Sequence, residues 1–140
     1  MKRIRCGIWI DHAEAIVVRF TQDPEPVLQR IASGVAGRAK TTGGMSGSRG
    51  QVGGASHKKA ERRRQNELSR FYEQVAAAVE DADQVAIIGP GQAKTNFETT
   101  LREVNRDVEC VAVLPEDQLT DRQVIARLRE ILQVPRVDAS

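Results

Sequence analysis

Near its start the chain alternates. Ile4, Cys6, Ile8 and Ile10 are separated by Arg5, Gly7 and Trp9, a period of two that predicts a β-strand. Asp11, His12, Ala13 and Glu14 break the pattern as a turn, and residues 15–20 form a second run rich in β-branched side chains. The two runs together predict a β-hairpin. Asp23, Pro24, Glu25 and Pro26 are a further breaker, followed by a third strand-like run over 27–31.

The period then lengthens. Leu68, Phe71, Val75 and Val79 fall at steps of three and four, so they share the buried face of a helix predicted over 56–80, with Ser56 as its N-cap. Residues 84–88 are a short apolar strand that stops at Gly89, Pro90 and Gly91. A second helix is predicted over 93–104, burying Phe97, Leu101 and Val104, and a strand follows over 108–114. Thr120 and Gln123 form a T-x-x-Q capping box. It opens a third helix whose apolar face is Val124, Leu128, Ile131 and Leu132, and the tail after Pro135 is expected to fray.

A hairpin followed by alternating helices and strands predicts an α/β domain. Its sheet is mixed, starts with the β-hairpin and carries helices packed on it, with right-handed crossovers between parallel strands in the second half. No linker or internal repeat divides residues 1–140, so one domain is expected, and 140 residues suffice for a real core.

Composition adds little until it is read by position. A hydrophobic fraction of 40% with 29% charged residues is ordinary for a soluble globular protein. The charged start at Met1, Lys2 and Arg3 precedes an apolar run that ends at Asp11, too short for a secretion signal, and no stretch has the length of a membrane span. A cytoplasmic protein with no membrane partner is expected. Cys6 and Cys110 lack paired spacing and read as buried reduced thiols, and no Cys or His cluster accompanies them to hold a metal.

The charge, in contrast, is concentrated. Between Arg38 and Arg70 stand nine basic residues and two acidic ones, a net +7, while the whole chain is +2 and the remainder therefore −5. This segment starts in a glycine-rich loop, expected to be mobile over about 33–55, which holds eight of the eleven glycines. It continues into a helix whose first turns carry His57, Lys58, Lys59, Arg62, Arg63 and Arg64. Cations at a helix N-terminus oppose the macrodipole, so fold stability does not call for them there. A polyanion does, and Arg49, His57, Lys58, Lys59, Arg62, Arg63 and Arg64 are the candidate RNA contacts. The plainer alternative is a solvated helix face beside a disordered loop.

Three weaker signals are weighed beside it. Gly91 and Lys94, at the start of a helix, could hold a phosphate, but Gly89, Pro90 and Gly91 equally make a tight strand-to-helix turn, which is the favoured reading. Asp11 and His12 at a strand end could belong to a metal-dependent nuclease, but no carboxylate motif accompanies them and a polar hairpin turn is the simpler reading. His57 has no Ser, Cys or Asp visibly paired with it and is read as an RNA contact.

Gly53, Gly54, Ala55 and Ser56, followed by Arg62 and Arg64, resemble the G-G-Q-S-x-x-R-x-x-R-x-R region of the central domain of archaeal and eukaryotic class I peptide-chain release factors and related pelota-like and bacterial stand-alone homologues. The segment from Gly89 through Lys94 to Phe97 resembles the G-P-G-x-x-K-x-x-F segment of the same domain. The similarity extends over roughly residues 4–132. It implies a fold shared by several ribosome-associated proteins of the translation machinery, and ribosomal or transfer RNA as partner, without a cofactor. In release factors the Gly-Gly-Gln backbone helps water attack the ester of peptidyl-transfer RNA, so Gly53, Gly54 and Ala55 become the candidate catalytic loop positions. Here Ala55 stands where that family has glutamine. The water-positioning side chain is gone while the backbone amide remains. The leading expectation is therefore a translation-associated RNA-binding protein without codon-dependent release. The alternatives are a peptidyl-transfer-RNA hydrolase or ribosome-rescue factor acting through the loop backbone, and a domain for an acidic protein partner. The sequence leaves enzymatic activity and oligomeric state open.

Overall fold

A computed structural model describes residues 4–21, 25–34 and 54–135, with 54–57 as backbone only. Among the described residues five strands and three helices follow in the order β1 (Arg5–Ile10), β2 (Glu14–Phe20), β3 (Val27–Ala32), α1 (Gly54–Ala78), β4 (Gln84–Gly89), α2 (Ala93–Val104), β5 (Glu109–Pro115) and α3 (Asp121–Leu132). The strands form one mixed sheet in the order β3-β2-β1-β4-β5. The hairpin pairs β1 with β2 antiparallel, with Ile8 opposite Val17, and β2 with β3 antiparallel. On its other side β1 runs parallel to β4, which runs parallel to β5. The predicted α/β class and mixed sheet are those observed.

The sheet is covered on both faces. Cys6, Ile8, Ile10, Val17, Val85 and Ile87 face a core completed by Phe71, Tyr72 and Val75 of α1, by Val79 just past its end, and by Phe97 and Leu101 of α2. Trp9, Ile16, Val18, Phe20 and Ile88 face the opposite core, closed by Val124, Leu128 and Leu132 of α3. Trp9, which the alternation placed among the polar positions, is thus buried, and its indole N–H donates to the Asp117 carbonyl at 3.0 Å. Gly7 shares that face for a steric reason: a Cβ there would lie 2.6 Å from Leu128, so glycine lets α3 close onto β1. Gly89 has φ +149 and sits so close to β1 that a Cβ would meet the Ile10 carbonyl oxygen at 2.2 Å.

Local signals behave as their chemistry requires. The Asp11 carboxylate accepts from the Ala13 and Glu14 amides at 2.8 and 2.9 Å, which makes the β1–β2 connection an Asx-type turn. The capping box forms: the Gln123 amide donates to Thr120 Oγ1 at 3.2 Å, and the Thr120 amide to Gln123 Oε1 at 2.9 Å.

Four expectations need correction. Helix α1 begins at Gly54, so Ser56 lies inside its first turn and is not its N-cap, and Gly54 and Ala55 belong to the helix where the sequence reading gave them to the loop. Val104 is 52% exposed, because the buried face of α2 steps from Ala93 to Phe97 to Leu101 and the helix ends before another turn reaches the sheet. Ile131 is only half-buried, beside the buried row of Val124, Leu128 and Leu132. Cys110 is also half-buried, on an edge strand, whereas Cys6 is fully buried.

Candidate nucleic-acid interface

The C-terminal half of α1 is fixed from below and at its end. Phe71, Val75, Ala76 and Val79 are no more than 1% exposed. The Arg19 guanidinium donates to the Ala78 carbonyl at 3.0 Å and to the Asp81 carboxylate at 3.0 and 3.1 Å, occupying a carbonyl that the helix terminus leaves without an intrahelical partner. This end of α1 therefore lies beside the start of β1. Further back along the helix, Arg70 and Phe71 share a shallow depression with Ser33 and Gly34, just past the end of β3. Since β3 and β1 point the same way, the helix crosses the sheet and passes its far edge near residue 70.

Beyond that edge no described position of α1 is buried. Every residue from Lys58 to Asn66 is exposed, with no buried stripe at any helical angle. At 1.5 Å per residue this is a prong about 13 Å long. It bears Lys58, Lys59, Arg62, Arg63 and Arg64 against a single carboxylate, Glu61. Among the described residues ion pairs tie parts of the body together, such as Arg30 of β3 to Asp121 of α3 at 3.0 Å and Arg127 to Glu116 at 3.0 Å. None of the five cations of the prong pairs with a described carboxylate. The first turn also has no acidic residue to offset the macrodipole. The charge concentration read from the sequence is thus a spatial one.

The other candidates divide. Gly54 and Ala55 open the prong, where the first four backbone N–H groups of a helix have no intrahelical acceptor. Arg49 and Gly53 lie outside the described residues, as does most of the glycine-rich segment over 33–55, and His57 is described as backbone only. Lys94 donates to the Gly91 carbonyl at 2.6 Å, and Gly91 has φ +63, the left-handed geometry of a tight strand-to-helix turn. His12 is exposed on the Asx turn. Among the described residues no three His, Cys, Asp or Glu side chains converge to hold a metal ion, and no helix is long and apolar enough to cross a membrane.

One feature near this edge had no sequence signal. Tyr72 is 5% exposed and its hydroxyl is buried without a hydrogen-bond partner. Burial raises the phenol pKa, and the Asn96 side chain pulls it back without the geometry of a hydrogen bond. The ring packs 5.5 Å from Phe71 and 6.4 Å from Phe97, joining α1 to α2 under the base of the prong.

This fold, a mixed sheet with helices on both faces, is like that of two solved structures. The chain is similar to the crystal structure of the Thermoplasma acidophilum Pelota protein, with a TM-score of 0.56 and 16% identity over 92% of this chain and 32% of that one. It is likewise similar to the crystal structure of an archaeal translation termination factor, with a TM-score of 0.56 and 10% identity over 95% of this chain and 35% of that one. The chain thus spans about a third of the length of either structure. At these identities the likeness is one of fold. No protein-family model matches the sequence, and no curated protein does.

Proposed function

We propose that this domain is a translation-associated module that docks on ribosomal or transfer RNA through the N-terminal half of α1 and the glycine-rich segment before it, without codon-dependent peptide release. The observation that carries the reading is the prong of residues 58–66, exposed on all sides and with its cations unpaired among the described residues. A helix with no apolar stripe gains nothing from the core, and its charge opposes its own dipole, so a polyanionic partner supplies what the fold does not. The fold likeness to a Pelota protein and a translation termination factor makes RNA of the translation apparatus the partner to test first.

The absence of release follows from Ala55. Hydrolysis of an ester needs a positioned water and donors already aimed at the developing oxyanion. Ala55 keeps a backbone N–H at the head of the helix and has no side chain that could orient water.

Co-sedimentation of the purified protein with ribosomes tests the reading. Binding is expected at about 50 mM salt and is expected to fall steeply towards about 200 mM, as phosphate contacts require. Peptidyl-transfer RNA on those ribosomes is expected to stay intact whatever codon is presented. No sedimentation at any salt would overturn the RNA reading in favour of an acidic protein partner. Release of peptide that disappears when Gly53 and Gly54 are replaced would make the protein a hydrolase.

A further inference from the structure

We infer that the binding face of the prong is a one-sided stripe of Lys58, Lys59, Arg62 and Arg63 that fits the phosphate backbone of single-stranded RNA irrespective of base sequence, and that Arg64 stands outside it. The inference rests on the RNA-binding reading above.

At about 100° per residue, Lys58, Arg62, Lys59 and Arg63 fall in that order within an arc of about 140°. The arc lies roughly opposite the direction of Leu68, Phe71, Val75 and Val79, the row that packs on the sheet. The stripe therefore faces away from the body, where an extended partner can lie along it. Lys58 with Arg62, and Lys59 with Arg63, are four residues apart, an axial rise of about 6 Å, and Lys59 is three from Arg62. Like charges at these spacings repel. Among the residues three and four places away, Lys59 and Arg62 each meet cations and uncharged side chains and no carboxylate. Lys58 and Arg63 each meet one, Glu61 and Glu67 respectively. Arg64 meets both and points to the sheet side of the helix, so its charge is locally balanced.

The class of partner follows from what the stripe lacks. Residues 58–66 contain no aromatic side chain and nothing apolar larger than Ala60. Bases have no aromatic platform on which to stack, which favours contacts to phosphate. Protein interfaces are anchored by buried aromatic and apolar groups, which are equally missing. A stripe on one side of a helix also meets one backbone, whereas a duplex presents two.

The test is the salt dependence of binding between the full chain and a short uridine oligoribonucleotide. Lys59→Ala and Arg62→Ala are each expected to reduce the slope of log K against log salt by about 0.7, the loss of one single-strand phosphate contact. Arg64→Ala is expected to change it by less than half of that, and an adenosine oligoribonucleotide is expected to bind as uridine does. These side chains are exposed, and circular dichroism is expected to show an unchanged fold. An Arg64→Ala slope as altered as that of Arg62→Ala would overturn the stripe, as would a duplex bound more tightly than the single strand at the same salt. Failure of the unmodified chain to bind any RNA would overturn the underlying reading as well, and retention on polyglutamate instead would assign the stripe to an acidic protein.

Discussion

Along α1 and the turn that ends it, residues 68–79 are held by burial, while residues 58–66 are held by little beyond the helix itself. The first stretch puts Phe71, Val75 and Val79 into the core and has the Ala78 carbonyl tied down by Arg19. The second has neither an apolar stripe nor an acidic residue in the first turn, and its cations repel one another. One continuous helix thus spans two regimes. Its rooted half sets the direction, and its free half presents charge at a fixed distance from the sheet edge. Selection for stability alone would have placed acidic residues at the tip, so the charge there is an argument for a partner.

The sharpest way to break this contrast is substitution at the root. Phe71 is 1% exposed and touches both Tyr72 and the core under α2. Phe71→Ala is expected to destabilise the domain by about 3–5 kcal/mol in urea denaturation. Arg62→Ala, nine residues earlier in the same helix, is expected to shift stability by no more than about 0.5 kcal/mol. If the two substitutions cost the same, the tip is packed and the contrast is false.

A smaller effect is expected from pH, and it belongs to the rooted region alone. Burial pushes the Cys6 thiol up to about 11; the Arg19 guanidinium pulls against this and the Asp81 carboxylate adds to it. The folded state therefore prefers the neutral thiol more strongly than the unfolded chain does. Its contribution is complete below the ordinary thiol value of 9.0 and is lost as pH rises from there towards about 11. The shift of about two units corresponds to about 3 kcal/mol when complete. Denaturation of the protein and of Cys6→Ala across that window should show the difference between them shrinking as pH rises. A constant difference would mean that Cys6 is not sealed beneath α1.

Much of the rooted region was legible in the sequence, and the reason is periodicity. Leu68, Phe71, Val75 and Val79 announce their face by spacing alone, and Thr120 with Gln123 announces a cap that forms. What the pattern could not give was anything decided by distant partners. Trp9 reads as the polar side of an alternating strand, yet it is buried because α3, more than a hundred residues later, covers that face. Val104 keeps the right spacing and is exposed because α2 runs out of sheet. The unpaired hydroxyl of Tyr72 is a product of packing between α1 and α2 and has no one-dimensional trace. The candidate site shows the same division. Its charge was visible as composition, but its geometry depended on where α1 leaves the sheet.

The most direct test of the account is amide hydrogen exchange along α1, read by mass spectrometry in the free protein and with bound RNA. In the free protein, residues 71–79 are expected to exchange slowly, at the rate of the core, and residues 58–66 much faster. Adding RNA is expected to slow exchange in residues 58–66 and to leave residues 71–79 unchanged, because phosphate relieves the repulsion that destabilises the tip while the root is already secured. Equal protection of both halves in the free protein, or exchange in residues 58–66 that stays the same when RNA binds, would contradict the division of α1 into a rooted half and a docking half.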